Sequence, residues 1–145
     1  MTGPATFLLD ANVLLALAST QHVHHGAAHR WFGEVTAWAT TPITETAFVR
    51  LVSNPAVVGA EVPPNQAVAL LQRLCEWPGH RFIADDARLV GATIDRVAMI
   101  GHRQVTDFHL VALAARNSTM LATFDAKLSA ALSDDDRRHL HLVAP

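Results

Sequence analysis

The chain has 145 residues, half of them apolar and 17% charged, which suits one folded domain (1–145) with a real core and excludes a disordered chain. Its net charge of −2 excludes a bulk positive field as the means of holding a polyanion. A single cysteine, Cys75, excludes an intramolecular disulfide framework and a Cys-based zinc site and fits a reducing compartment, the cytoplasm by default.

In chain order, the apolar run at 6–9 is bounded by Gly3-Pro4 and Asp10 and reads as a strand. Residues 11–18 read as a helix that Asp10 is placed to cap. No basic residue precedes the apolar stretch at 13–18, so it is not read as an export signal, and no run reaches the ~18 apolar residues of a membrane span. Ala28, Trp31, Phe32, Val35 and Trp38 recur at helical spacing and predict an amphipathic helix over 25–38. Pro42 and Ile43 mark a second short strand, and 44–53 form a helix stopped by Asn54-Pro55. A loop at 58–64 leads through Pro63-Pro64 into a strong helix over 65–76. Residues 81–84 are a strand candidate, and Asp85-Asp86 is expected to open a helix running to about residue 99, broken by Gly101. Thr106 is expected to cap a helix over 107–116, with Asn117 at its end; a strand at 120–123, a short helix at 126–132 and a strand at 139–143 follow. Strands alternating with helices predict a parallel sheet covered on both faces.

Four acids, Asp10, Glu45, Asp107 and Asp125, each fall where an apolar run reads as a strand giving way to a helix. In open parallel sheets ligands bind beyond the carboxyl ends of the strands. Carboxylates gathered there repel one another unless a cation sits between them, and oxygen donors suit Mg²⁺ or Mn²⁺. Each acid also has an ordinary reading, since Asp is a common N-cap and Glu in a first turn complements the helix dipole. Asp85 and Asp86 are read only as caps. Asp134-Asp135-Asp136, followed by Arg137-Arg138, is read as a solvated turn with its charges ordered along a dipole.

Four motifs, in order and spacing, make the chain similar to PIN-domain ribonucleases of the VapC type, the toxin half of bacterial toxin–antitoxin modules. They are Leu8-Leu9-Asp10-Ala11-Asn12-Val13-Leu14-Leu15, Thr44-Glu45-Thr46 with Arg50 beyond it, Val105-Thr106-Asp107-Phe108-His109-Leu110 and Leu121-Ala122-Thr123-Phe124-Asp125. The resemblance implies a three-layer α/β/α fold with a central, mostly parallel sheet. It also implies Mg²⁺- or Mn²⁺-dependent endoribonuclease activity, a homodimer, and a small antitoxin whose C-terminal segment covers the site. Carried over by residue, it puts the acidic tetrad on Asp10, Glu45, Asp107 and Asp125, the supporting hydroxyl on Thr123 and a supporting polar group on Asn12. No family motif falls in 57–103.

Asp10 and Asp107 are expected to be the most direct ligands, with Glu45 and Asp125 completing the shell and one of them orienting the attacking water. Arg50 and Arg103 stand near Glu45 and Asp107 in sequence, where a guanidinium reaches phosphate as readily as it makes a surface salt bridge. His22, His24, His25 and His29 lack a matching second cluster and read as a polar surface rather than a zinc site. His109 is a candidate for support behind the acids. Trp31, Phe32, Trp38 and Phe48 read as core or dimer packing rather than a base-stacking platform. Two other functions compete. A haloacid-dehalogenase-like phosphatase would use Asp10 as nucleophile, but it resembles Asp-x-Asp, and Asn12 stands where the second acid belongs. A non-catalytic α/β RNA- or protein-binding module would leave the intact tetrad without a use.

Overall fold

Leu8 and Leu9, consecutive on strand β1 (Thr6–Leu9), belong to two separate clusters of buried side chains. The same split separates Ala39 from Trp38 on β2 (Ala37–Thr40) and Leu121 from Ala122 on β4 (Met120–Thr123). Alternation with a period of two puts successive side chains on opposite faces, so the sheet has a core on each side. β3 (His80–Phe82) and β5 (Leu140–Leu142) lie at the edges, and the order β3-β2-β1-β4-β5 is parallel throughout. The described residues are 3–145 of the computed structural model.

One face is covered by α1 (Ala11–Ala18), α2 (His25–Phe32), α3 (Pro42–Val52) and α5 (Pro64–Cys75), which enclose Val13, Leu14, Ala28, Phe48 and Leu71. The other is covered by α6 (Val105–Arg116) and α7 (Ala126–Ala131), with Phe108, Leu110, Leu113 and Leu128 buried. A single turn, α4 (Pro55–Val58), follows α3 in a stretch where the sequence reading had none. The result is the expected three-layer α/β/α architecture. The register pairs Leu9 with Ala122 and Leu8 with Ala39. The carboxyl ends of the two central strands, β1 and β4, therefore lie side by side.

Three expectations need correction. The helix predicted over 25–38 ends at Phe32, and Trp38 lies on β2, fully buried. Its spacing from Trp31 and Val35 is coincidental, because Gly33 ends the helix and the chain turns into the sheet. The strand placed at Pro42-Ile43 is the start of α3, where proline at the first helical position has no N–H to leave unpaired. The helix expected over 85–99 is irregular chain with a left-handed Gly91 and one 3₁₀ turn, Arg96–Ala98. Asp85 and Asp86 are bound elsewhere rather than capping it: Asp85 to His109 at 2.7 Å and Asp86 to Arg116 at 3.3 Å, both on α6. Ile94, Ala92, Ala98 and Met99 still pack against the core, so this segment covers the sheet without regular structure.

A fourth difference bears on the site. No strand precedes Asp107. It stands in the first turn of α6, which begins at Val105 directly after a 3₁₀ turn, His102–Gln104, with Gln104 rather than Thr106 at the cap position. Asp136 is buried, not solvated, and accepts the Asp95 backbone N–H at 2.7 Å. Asp134 and Asp135 are exposed partners of Arg137 and Arg138.

Candidate active site

Asp10 follows the last residue of β1 and caps α1, its Oδ1 accepting the Ala11 N–H at 2.7 Å. Asp125 stands two residues after β4 and caps α7 through the N–H groups of Lys127 and Leu128, at 3.0 and 3.2 Å. The capping reading of both acids is therefore correct. It engages one oxygen of each and leaves the other for further work.

Thr123, the last residue of β4, joins the two. Its hydroxyl donates to Asp10 Oδ2 at 2.8 Å and accepts from Asn12 Nδ2 and from the Asp125 N–H, both at 3.1 Å. A hydroxyl has one proton and two lone pairs, so the fully buried Thr123 is saturated by these three bonds. Asn12 also accepts the Phe124 N–H at 3.4 Å, and the Asp10 N–H donates to the Ala122 carbonyl at 2.9 Å. The ends of β1 and β4 are thus laced together through the side chains of Asn12 and Thr123.

Asp107 comes to the same place from α6. Its carboxyl is pushed up to about 6 by burial and by the negative charges of Asp10 and Asp125. Burial also raises Asp10, against the lowering effect of the Thr123 and Ala11 hydrogen bonds, with Asp125 adding a further upward push. Three carboxylates on three elements therefore share one electrostatic neighbourhood. Among the described residues none of them forms an ion pair; the pairs there are His109–Asp85, Arg116–Asp86, Arg137–Asp134 and Arg138–Asp135. An oxygen-only donor set in which Asp10 and Asp107 are pushed up by burial and by neighbouring carboxylates, with no basic side chain to neutralise it, has the chemistry a hard divalent cation takes, although among the described residues only Glu45, Cys75 and His80 bring three ligand atoms within 4.8 Å of one another.

Glu45 lies in the first turn of α3, just beyond β2, and its carboxylate is engaged in a second group. It accepts from the buried Thr40 hydroxyl at 2.6 Å, and the Thr40 oxygen lies 2.8 Å from His80 Nε2. With Thr40 donating to Glu45, His80 must donate to Thr40, which places its proton on Nε2. A ligand atom of Cys75, at the end of α5, lies within 4.8 Å of those of Glu45 and His80, so these three residues form a group able to hold a metal ion. Burial lowers the His80 pKa and raises that of the Cys75 thiol. Sequence reasoning missed Thr40, Cys75 and His80. Only the closeness of Cys75 and His80 in sequence hinted at them, and their partner Glu45 lies far away along the chain.

The remaining candidates are ordinary. Arg50 and Arg103 are exposed, and neither forms an ion pair among the described residues. His109 is bound to Asp85 rather than to the acids. His25 and His29 bond the Ala16 and Leu17 carbonyls at 2.8 Å, tying α2 to the end of α1, while His24 stacks on Phe124. Trp38 and Phe48 are core residues.

A parallel α/β/α sheet with acids converging beyond its central strands defines a PIN-type domain, and the PIN domain profile matches residues 7–131. The chain belongs to this family. Its relatives are of the VapC type. Ribonuclease VapC39 of Mycobacterium tuberculosis (strain ATCC 25618 / H37Rv) is 50% identical over 127 residues, 86% of this chain and 91% of that protein. Ribonuclease VapC38 of the same strain is 44% identical over 121 residues, covering 82% and 84%. The crystal structure of Mycobacterium tuberculosis VapC20, described as a sarcin-ricin loop cleaving toxin, aligns with a TM-score of 0.61 at 19% identity, over 86% of this chain and 94% of that one. That likeness supports the fold. Among the described residues no helix is long and apolar enough to cross a membrane.

Proposed function

We propose that the chain is a Mg²⁺- or Mn²⁺-dependent endoribonuclease, the toxin of a toxin–antitoxin pair, acting in the cytoplasm as a homodimer of single PIN units spanning residues 1–145. The observation that carries this reading is the un-neutralised carboxylate group of Asp10, Asp107 and Asp125 beyond the central strands. The names of the 50% and 44% identical relatives supply the substrate class, RNA.

Asp10 and Asp107 bind the cation most directly, with Asp125 and Glu45 completing its surroundings. Bound there, the cation supplies Lewis acidity for phosphodiester hydrolysis, acidifying water and neutralising charge on the phosphate and the leaving oxygen. The Thr123 hydroxyl, braced by Asn12, orients the Asp10 carboxylate and holds the Asp125 backbone N–H, fixing the two acids' chain segments together. Asp125 or Glu45 orients the attacking water and takes its proton. In this reading the exposed Arg50 and Arg103, near Glu45 and Asp107 in sequence, meet RNA phosphate.

A nuclease loose among its host's own RNA requires an inhibitor. The partner in this reading is a small antitoxin whose inserted Arg pairs with the carboxylates and displaces the cation. The test is to map RNA ends after controlled expression of wild type and Asp10→Asn, and to co-express the protein encoded immediately upstream. New 5′ ends and growth arrest with wild type alone, both relieved by a small upstream protein that co-purifies, are expected. No new ends with wild type, or the same ends with Asp10→Asn, would refute the nuclease; no arrest and no binding would refute the toxin role.

A further inference from the structure

Glu45, Cys75 and His80 come from three different elements, and their ligand atoms lie within 4.8 Å of one another. We infer that they form a second, distinct cation site, selective for a borderline metal such as Zn²⁺, and that its occupation keeps Glu45 from joining the carboxylate site and switches the nuclease off. The second half of this inference rests on the ribonuclease reading above; the first does not.

The donor chemistry sets the preference. Mg²⁺ takes oxygen ligands almost exclusively and has little affinity for thiolate or imidazole, whereas one thiolate, one imidazole and one carboxylate form a three-ligand zinc set with an open fourth position, so the lone Cys75 suffices once Glu45 and His80 join it, against the expectation drawn from the cysteine count. Zinc bonds of about 2.0–2.3 Å require the three atoms to draw closer, which small rotations of these partly buried side chains allow. The Cys75 thiol gives up its proton on binding, and the His80 Nε2 proton that now bonds Thr40 moves to Nδ1 if Nε2 is the ligand atom.

The site is held rigidly from behind. Cys75 and His80 are joined by a short turn fixed by Trp38, whose indole N–H donates to the Pro78 carbonyl at 3.1 Å and whose backbone N–H donates to the Gly79 carbonyl at 3.0 Å. Gly79 has φ +88°, and a Cβ there would lie 2.2 Å from the Thr36 carbonyl oxygen, so only glycine lets the turn press this closely on the start of β2. The indole of Trp38 lies 4.7 Å from the His80 ring, centroid to centroid. Glu45 is held toward the same group by the fully buried Thr40. Two ligands flanking a fixed turn, at the end of α5 and the start of β3, and a third steered by a buried hydroxyl make a preorganised set.

The arrangement couples two metals through one residue. With Glu45 turned to Thr40, His80 and Cys75, a borderline metal in this group competes directly with its use at the other three acids. Its free position accepts water, so zinc is captured without any ligand from Asp10, Asp107 or Asp125.

The test uses Co²⁺ as an optical probe of purified, metal-free full-length chain. Thiolate bonded to Co²⁺ gives a charge-transfer band in the near ultraviolet that carboxylates cannot produce. A band saturating at one equivalent in wild type and in Asp10→Asn, bleached by Zn²⁺ but not by Mg²⁺, is expected. Cys75→Ser should lack the band and His80→Gln should bind at least about tenfold more weakly, with both retaining the wild-type circular dichroism spectrum. No band in wild type, or undiminished Zn²⁺ affinity in Cys75→Ser, overturns the site. In a parallel cleavage assay, Zn²⁺ should inhibit Mg²⁺-supported cleavage by wild type but not by Cys75→Ser, and equal inhibition of both overturns the coupling. If no RNA is cut under any condition, the ribonuclease reading fails and the switch with it, while the cobalt band still decides the metal site.

Discussion

Replacing Asp107 by Asn should make the metal-free protein more stable at neutral pH, the opposite of what most substitutions at a partly buried position do. No hydrogen bond lowers the Asp107 carboxyl, so the amide loses nothing, and what disappears is a charge disfavoured first by burial and then by Asp10 and Asp125. The carboxyl moves from 3.8 unfolded to about 6 folded. At about 1.4 kcal/mol per tenfold change in proton affinity, its charged form is disfavoured by about 3 kcal/mol. The side chain is partly exposed, and solvent screening reduces this to roughly 1–2 kcal/mol. Below about pH 4 Asp107 is protonated both folded and unfolded and the penalty is absent. Between about pH 4 and 6 the folded state binds more protons than the unfolded chain, so wild-type stability falls as pH rises, and above that window the loss is complete. For a chain of this length the gain in Asp107→Asn is a rise in Tm of roughly 3–6 °C. Calorimetry in chelator at pH 7.5 and pH 4 measures it. The gain should be present at the first pH and nearly absent at the second, and excess Mg²⁺ should raise the Tm of wild type more than that of the variant. A variant no more stable than wild type at pH 7.5, or equally stabilised at both pH values, would refute the claim that burial and the neighbouring carboxylates disfavour the Asp107 charge.

Thr123→Val keeps the shape but removes the donor to Asp10 and the acceptor for Asn12 and the Asp125 N–H; it should cost about 1–3 kcal/mol in urea unfolding and 10- to 100-fold, approximately, in RNA cleavage. Gly79→Ala should destabilise by about 2 kcal/mol or more in the same assay, because it meets both a positive φ and a carbonyl oxygen. Mg²⁺ should bind weakly alone and more tightly with a non-cleavable RNA, since the ion keeps several waters that phosphate oxygens replace; calorimetry giving the same affinity with and without RNA would contradict this.

The local rules succeeded where an apolar run meets a capping acid. Thr6 to Asp10 and Met120 to Asp125 each read as strand, then cap, then helix, and the structure builds them so. Two of the acids were therefore placed correctly by their caps, and Asp107 comes within reach of their charges although its supposed strand is a 3₁₀ turn and a helix start. Trp38 misled because one apolar residue satisfies a helical period and a buried strand equally well; only its partner strands, β1 and β3, decide. The stretch from Asp85 to Met99 misled because an acid pair ahead of apolar residues looks like a helix start. Its carboxylates instead answer His109 and Arg116, which are distant in sequence. The Thr40–Glu45–Cys75–His80 group was illegible for the same reason: no periodicity links residues brought together only by the packing of α3 and α5 beside β2 and β3.

The most direct test of the central claim is cleavage of a single-stranded RNA by the purified chain, with Mg²⁺, with Mn²⁺ and with chelator, for wild type and for Asp10→Asn, Asp107→Asn and Asp125→Asn. The account predicts cleavage by wild type with either metal, none in chelator, and losses of about a hundredfold or more in Asp10→Asn and Asp107→Asn. Cleavage undiminished in chelator, or near the wild-type rate in Asp10→Asn with Mg²⁺, would contradict it.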